Sequence, residues 1–301
     1  MNYPVPKVYF TKTIDSKHVL DMFKILGKDL DGPVALKVHS GEAENINFLQ
    51  PSLFQDIYDY FNDKQGTIVE TNTAYPRERN TTEKHLKLLE DHKWTTTFSR
   101  VEILDYDKEK DVKIQVPNKR QIDYNIIGGN TLKYKSMVVL THFKGHGMGG
   151  YGGALKQLSI GCASASGKAN IHSAGKCQDP EKWKDYLPEQ DEFLRSMADA
   201  ASSVVSHFNG NMAFINVMKN ISIDCDCSWI AQKPCMADVG ILSSLDPVAV
   251  DTACIDLVIN SLDPGKVNLL NRINGLHGYY TIDVAAENGV GNKVYQLINL
   301  D

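Results

Sequence analysis

The sequence lacks the features that mark several classes of protein. No apolar run reaches the roughly 18 residues that a membrane helix needs, so we expect no membrane partner. No block of about five or six like charges indicates a disordered tail. Six cysteines in 301 residues are too few for the disulfide framework of a secreted protein. They are therefore expected to be buried side chains, reactive thiols or metal ligands.

Charge and the chain start exclude two further classes. The formal net charge is −5, whereas nucleic-acid-binding proteins usually carry a basic face, so no nucleic-acid partner is expected. The first residues have neither the basic nor the apolar segment of a secretory signal. The expected location is therefore the cytoplasm.

What the sequence does contain is an alternation of strand and helix patterns in an ordinary globular composition, 42% hydrophobic and 23% charged. This alternation predicts an α/β fold, a mostly parallel sheet with helices on both faces. A small antiparallel excursion is predicted near 98–117, where 101–104 and 112–116 flank a charged turn. We expect a single α/β unit over 1–301, divisible into an N-terminal lobe (1–135) and a C-terminal lobe (136–301).

Polar clusters directly follow three predicted strands. They comprise His39 to Glu42, Thr71 to Thr73, and His142 with His146. In parallel sheets, ligands bind beyond the carboxyl ends of the strands. The three clusters therefore predict one shared cleft, with His39, Glu42 and Asn72 facing the histidines.

The segment 137–175 concentrates glycine, imidazole and amine. His142 and His146 have a spacing that suits metal chelation on a helix, and imidazole also suits acid–base work near neutral pH; the alternative is two polar loop histidines. Gly149 and Gly150 belong to a loop whose backbone could hold an anion or only provide flexible packing. Lys156 follows as a candidate anion contact, low-pKa amine or site of covalent cofactor attachment.

Two further groups are candidates. Cys225 and Cys227 form a Cys-x-Cys pair, interpreted as metal ligands or redox thiols, with structural cysteines as the alternative. Their spacing matches neither zinc-ribbon nor ferredoxin patterns. Arg79 lies in a polar loop after a strand and could clamp a carboxylate or phosphate, although a solvated loop has the same pattern.

Six short segments resemble a family of unknown function whose members are labelled uncharacterized Fe–S center proteins. The matching segments are 37–42, 70–75, 141–146, 160–164, 224–227 and 246–249. Many members carry a ferredoxin-type cysteine module between the regions that match His172 and the helix after Asp191. Here that region holds only Cys177, so an Fe–S cluster is not expected in this chain.

A fainter resemblance connects about 30 residues to the lactate racemase family. His146, Lys156 and His172 have the spacing of that family's core, in a glycine-rich setting after a strand. The resemblance implies that Lys156 tethers a nickel-pincer nucleotide, that His172 ligates the metal and that His146 moves a proton. No segment matches the family's other catalytic region.

These observations lead to two hypotheses about function. The first is a metal- or cofactor-dependent enzyme acting on a small polar or anionic molecule, either a racemase-like isomerase or an oxidoreductase. The second is a non-catalytic binding or electron-transfer accessory protein that has lost its ferredoxin module. The sequence indicates neither the substrate nor the metal nor the oligomeric state.

Overall fold

The protein is an α/β structure built on one large sheet. The computed structural model describes residues 5–228, 230 and 232–301. The strands are β1 (Lys7–Thr11), β2 (Val34–Lys37), β3 (Thr67–Glu70), β4 (Val101–Ile103), β5 (Val112–Gln115), β6 (Tyr124–Ile127), β7 (Ser136–His142), β8 (Lys144–His146), β9 (Gly150–Gly152), β10 (Met212–Met218), β11 (Gly240–Ser244) and β12 (Gln296–Asn299).

Eight of these strands form the main sheet, in the order β12-β1-β11-β10-β7-β2-β3-β4. Only β11 runs against its two neighbours, and the other pairings are parallel. The central strand β7 is buried along its whole length, as expected for a parallel strand covered on both faces. The predicted α/β fold with a mostly parallel sheet is confirmed.

Helices cover both faces of this sheet. They are α1 (Ser16–Lys24), α2 (Gln55–Tyr60), α3 (Thr82–Asp91), α4 (Trp94–Thr97), α5 (Ala154–Lys156), α6 (Ala165–His172), α7 (Gln190–Phe208), α8 (Pro247–Asn260), α9 (Lys266–Gly275) and α10 (Tyr279–Glu287). A π-helical turn, Gln157–Gly161, continues α5.

The alternation of side chains along β7 separates two cores. Met137 and Val139 pack with residues of α7, α8 and α10, whereas Val138 and Leu140 pack with residues of α1, α2 and α4. Successive strand residues point to opposite faces, so the same strand contributes to both cores. The strands β7, β2 and β3 are parallel neighbours, so their carboxyl ends lie side by side at one edge of the sheet.

The antiparallel excursion is present, but its predicted strand pairing is wrong. β5 pairs with β6 rather than with β4. β4 instead extends the main sheet as a parallel edge strand next to β3. The glycine-rich segment after β7 forms a second small antiparallel pair, β8 with β9.

Among the described residues, no helix combines the length and apolarity needed to cross a bilayer.

Candidate functional site

Residues that follow β2 and residues at the carboxyl end of β7 meet around the buried carboxylate of Asp226. Its oxygens lie 3.0 Å from Nδ1 of His142, 2.8 Å from Nζ of Lys144 and 3.3 Å from Nε2 of His39. Burial alone would raise the pKa of Asp226. The charges of His39, Lys144 and His142 outweigh it and hold the pKa well below its ordinary value. Asp226 is therefore an anion at the centre of a cationic group.

His142 supports this arrangement from behind. Its Nδ1 faces Asp226 and its Nε2 lies 2.6 Å from the carbonyl oxygen of Lys219. Both ring nitrogens are thus engaged, and the ring is 1% exposed. In this position His142 orients Asp226 and does not face a cavity.

A second ion cluster surrounds Glu70 at the end of β3. Lys37 donates to its carboxylate at 2.7 Å, and Ser40 donates from both its backbone and its hydroxyl group. Nδ1 of His39 lies 3.5 Å from the same carboxylate. His39 bridges Glu70 and Asp226. Burial lowers its pKa, but the two carboxylates and the Cys225 sulfur raise it more, so the net change is upward.

Glu42 and Arg79 form the outer part of this network. Nε of Arg79 lies 3.3 Å from Glu42, and one terminal nitrogen donates to the Tyr75 hydroxyl at 2.7 Å. Tyr75 in turn donates to Glu42 at 3.1 Å. The other Glu42 oxygen, Oε1, is buried without a hydrogen-bond partner in the described structure.

Cys225 is a thiolate beside a protonated lysine. Nζ of Lys156 lies 3.7 Å from Sγ of Cys225, and the backbone N–H of Cys227 donates to the same sulfur. Burial raises the pKa of Cys225, but a hydrogen bond from the Cys227 thiol and the charges of Lys156 and Lys144 bring it well below its ordinary value. The pKa of Cys227 is raised by this bond between the two side chains, by burial and by the charge of Cys225. Burial also lowers the pKa of Lys156, which the thiolate more than offsets.

A small buried space, here called the inner cavity, opens between these groups. Its volume is about 70 Å³, far below the several hundred cubic ångströms of a pocket for a drug-sized ligand. Arg79, Lys156, Lys168, His146 and His172 line it, together with His39, Glu70, Thr71, Thr73, Ala74, Tyr75, Gln157, Ile160, Gly161, Trp183 and Cys227. The inner cavity therefore suits a molecule of a few heavy atoms.

Two neutral histidines with opposite tautomers face the inner cavity. Nδ1 of His172 lies 2.7 Å from the carbonyl oxygen of Lys168 and so carries the proton, which leaves Nε2 as an acceptor. Nδ1 of His146 instead accepts from the backbone N–H of Gly149 at 2.9 Å, so its proton is on Nε2. Burial lowers the pKa of both rings, with help from the Lys156 charge, to about 4 for His172 and about 3 for His146.

Lys168 is a buried amine whose two close acceptors are both uncharged. Nζ lies 2.6 Å from Oγ1 of Thr71 and 2.6 Å from the carbonyl oxygen of Ala163. Burial, with the charges of Lys37 and Arg79, lowers its pKa to about 7, although Asp105 acts in the opposite direction.

The other predicted residues have supporting places. Gly149 and Gly150 form the turn between β8 and β9. Gly150 has a φ of +79°, and a Cβ there would come within 2.9 Å of Gly278, so both backbone and packing require glycine. Asn72 donates to Thr82 and faces His85, and it lines a separate outer groove of about 800 Å³ rather than the inner cavity.

Trp183 lines the inner cavity and bonds to Ala74, which lines both this cavity and the outer groove. Its indole N–H donates to the carbonyl oxygen of Ala74 at 2.5 Å, and its ring packs against His172 with centroids 4.6 Å apart. Asp179 and Lys184, on either side of it in sequence, line the outer groove. The indole thus closes one wall of the inner cavity.

Two sets of side chains could hold a metal ion. Ligand atoms of His146, Cys225 and Cys227 lie within 4.8 Å of one another, and so do those of His39, Cys225 and Asp226. Thiolate and imidazole ligands suit zinc and iron. However, Nδ1 of His146 is occupied by backbone donors, and the Lys156 ammonium would have to leave the Cys225 sulfur.

The nickel-pincer nucleotide implied by the racemase resemblance does not fit this conformation. His146, Lys156 and His172 do line one cavity. A volume of about 70 Å³ has no room for a nucleotide.

Sequence reasoning missed several residues of this site. Asp226, Glu70, Lys144, Lys168 and Trp183 were not among the predicted site residues. Asp226 and Glu70 could have been found by the strand-end rule, because the loop after β10 and the last residue of β3 lie at the same sheet edge as His39. Lys168 precedes His172 by one helical turn, a spacing that places both on one face of α6.

Comparison with known proteins agrees with the motifs. No curated protein matches the sequence. Among solved structures, the lactate racemase apoprotein from Thermoanaerobacterium thermosaccharolyticum has 14% identity and a TM-score of 0.45, over 72% of this chain and 52% of that one. A structural-genomics protein from Thermotoga maritima has 10% identity and a TM-score of 0.37, over 90% of this chain and 57% of that one.

The chain thus spans little more than half the length of those structures, and they assign no activity to it. The decisive match is to a family model described as Domain of unknown function (DUF362), over residues 34–256. It includes β2, β3, β7 and the Asp224–Cys227 segment, and so the elements that build the site. The chain belongs to this family, as its sequence motifs predicted.

Proposed function

We propose that the chain is an enzyme that binds a small carboxylate in the inner cavity and transfers a proton on it, as a racemase-like isomerase does. The observation that carries this proposal is the lining of the cavity. Two cationic side chains (Arg79 and Lys156) and the amine of Lys168 share it with two uncharged imidazoles, His146 and His172. Cations bind the anion, and uncharged imidazoles can donate or accept hydrogen bonds at the reacting atoms.

The charge balance of the buried network favours an anion. Glu70 is the one carboxylate among the described residues that line the cavity, and Lys37 already neutralises it. Apart from Lys168, four cationic side chains of the described network face four anions, and the raised pKa of His39 adds further positive charge. The cations are Lys37, Arg79, Lys144 and Lys156, and the anions are Glu42, Glu70, Asp226 and the Cys225 thiolate.

The histidine tautomers divide the acid–base work. Nε2 of His172 is unprotonated and can accept a proton from the substrate, while its Nδ1–H bond to the Lys168 carbonyl fixes the ring. Nε2–H of His146 can donate to an oxygen on which negative charge develops. Lys156, kept protonated by the Cys225 thiolate, is the candidate proton donor. Burial excludes water, which strengthens each of these interactions.

Solvent deuterium exchange tests this function. Small 2-hydroxy and 2-oxo acids are incubated with the protein in D₂O, and loss of the C–H signal is followed by proton NMR, with and without added Zn²⁺ or Ni²⁺. We expect catalysed exchange that His172→Gln lowers about 10²–10⁴-fold, the usual contribution of a general base. The surface variant His18→Gln is the matched control and should retain the rate. Exchange no faster than in buffer, or unaffected by His172→Gln, contradicts the proposal.

The convergence of His146, Cys225 and Cys227 favours a second candidate, in which the same site works with a soft metal ion. Bound between the thiolates and the cavity, the metal would polarise a substrate oxygen as a Lewis acid. Titration calorimetry with Zn²⁺ should then show one site per chain that Cys225→Ser abolishes and Cys235→Ser retains. Equal binding by both variants would exclude this centre.

The non-catalytic accessory role predicted as an alternative gives a different pattern. A pure binding protein retains carboxylates in the inner cavity but produces no exchange with any acid, with or without metal.

A further inference from the structure

Four lysines are buried beside this site, and one of them differs from the others in its partners. Lys37 pairs with Glu70, Lys144 pairs with Asp226, and Lys156 faces the Cys225 thiolate. Lys168 is equally buried, at 6% exposure. Within the described structure, no carboxylate oxygen or thiolate lies at ion-pairing or hydrogen-bonding distance from its Nζ. It is the amine of the four that no anion keeps protonated.

The hydrogen bonds of Lys168 leave its lone pair free. An uncharged amine has two N–H bonds, and the two acceptors at 2.6 Å, Oγ1 of Thr71 and the carbonyl oxygen of Ala163, take one each. Thr71 is fixed in the accepting role, because its own hydroxyl donates to the carbonyl oxygen of Gly161 at 2.8 Å. The amine is thus held in one orientation on the wall of the inner cavity.

The neighbouring groups complete a site for a carbonyl compound that carries a carboxylate. Gln157 lines the same cavity, is 4% exposed, and its Nε2 is buried without an acceptor in the described structure. Leaving such a donor unpaired is costly, so a ligand oxygen is its natural partner. Arg79 supplies positive charge on the same wall, and His172 presents an unprotonated Nε2 one helical turn from Lys168.

We propose that Lys168 is a nucleophilic amine that forms an imine with a small 2-oxo carboxylate bound in the inner cavity. This proposal rests on the proposed function and names its substrate class.

The step balances without another reactant. The nitrogen lone pair attacks the carbonyl carbon, the carbonyl oxygen takes up a proton from the Lys156 ammonium, and the nitrogen loses one to His172, giving a carbinolamine. That proton returns to the hydroxyl group, which leaves as water while the C=N bond forms. Hydrolysis reverses each step. The protonated imine withdraws electrons from the adjacent carbon and so acidifies its C–H bonds, which is the proton transfer proposed above.

Reductive trapping on the full-length protein tests the proposal. The protein is incubated with pyruvate and sodium cyanoborohydride, then analysed by intact mass and peptide mapping. We expect one adduct per chain, with the mass of pyruvic acid less one oxygen, and Lys168 modified at least about tenfold more than any other lysine. Lys168→Arg should abolish this adduct, whereas the exposed control Lys87→Arg, on α3 outside the site, should retain it. Mapping on the wild-type chain gives the answer even if a variant fails to fold.

Other outcomes overturn the proposal and separate it from the proposed function. Adducts spread over surface lysines, or concentrated on Lys156, contradict it. If pyruvate binds by calorimetry but no adduct forms on Lys168, the imine is wrong and the carboxylate site survives. If no small carboxylate binds at all, both the imine and the proposed function fail.

Discussion

The contrast between Lys37 and Lys168 gives a quantitative prediction about stability. Both side chains are buried, but Lys37 neutralises Glu70, whereas Lys168 has only uncharged acceptors at close range. Replacing each by methionine, which has a similar length and no charge, should therefore have opposite effects on the free energy of unfolding.

The magnitudes follow from the partners. Lys37→Met leaves the Glu70 carboxylate buried without its closest cation, and breaking a buried pair in this way costs about 3–5 kcal/mol. The pKa of Lys168 is about 7 in the folded protein, against an ordinary value of 10.5. At pH 7 the buried amine therefore lowers the free energy of unfolding. At about 1.4 kcal/mol per pH unit, this destabilisation amounts to about 4 kcal/mol. Two lost hydrogen bonds, each worth about 1 kcal/mol, offset part of it. Lys168→Met should therefore raise the free energy of unfolding by about 2 kcal/mol.

Urea unfolding followed by circular dichroism at pH 7 and pH 9 measures both effects. Between pH 7 and 10.5 the unfolded Lys168 binds a proton that the folded one does not, so wild-type stability rises with pH. The difference in free energy of unfolding between Lys168→Met and the wild type should therefore decrease by about 2 kcal/mol from pH 7 to pH 9. The reasoning would be refuted if Lys168→Met lowered the free energy of unfolding as much as Lys37→Met does. It would also be refuted if the stabilisation by Lys168→Met did not depend on pH.

Three further predictions concern the walls of the site. Ultraviolet absorbance should detect the Cys225 thiolate at a lower pH than an ordinary cysteine, because Cys227 and Lys156 lower its pKa. Lys156→Met should move its appearance to higher pH, and an unchanged titration contradicts the pairing. Trp183→Ala should lower the free energy of unfolding by about 3 kcal/mol. If the loss of the indole joins the inner cavity to the outer groove, bulkier carboxylates should bind the variant in calorimetry. An unchanged size preference argues against the indole as the dividing wall. Asp251 accepts from the backbone N–H groups of Ala154 and Leu155, at the start of the Lys156 helix. Asp251→Ala should therefore lower the free energy of unfolding by at least about 1–3 kcal/mol, the cost of leaving a buried donor without an acceptor, and a change below about 1 kcal/mol would show that this cap is dispensable.

Local patterns predicted which strand ends lie together in the sheet. The strands at 34–37, 67–70 and 136–142 are short apolar runs, and polar residues begin where each run ends. Parallel neighbours bring those ends together, so His39 and the end of β7 were predicted at one edge from spacing alone.

Pairing between distant segments was not predictable in the same way. β4 has only three residues, and its charged following turn resembles a hairpin, although its partner β3 lies about 30 residues earlier in the chain. The roles of the four lysines also depend on partners that the sequence does not display. Lys156 and Lys168 are similar in sequence context, and only the fold places a thiolate beside one and a hydroxyl beside the other.

A crystal structure of the protein soaked with pyruvate or lactate tests the central claim most directly. The account predicts ligand density in the inner cavity, with the carboxylate near Arg79 and Lys156 and the second oxygen near Gln157, Lys168 and His172. Density confined to the outer groove, or an inner cavity that stays free of ligand at saturating concentration, would contradict the assignment of this cavity as the site.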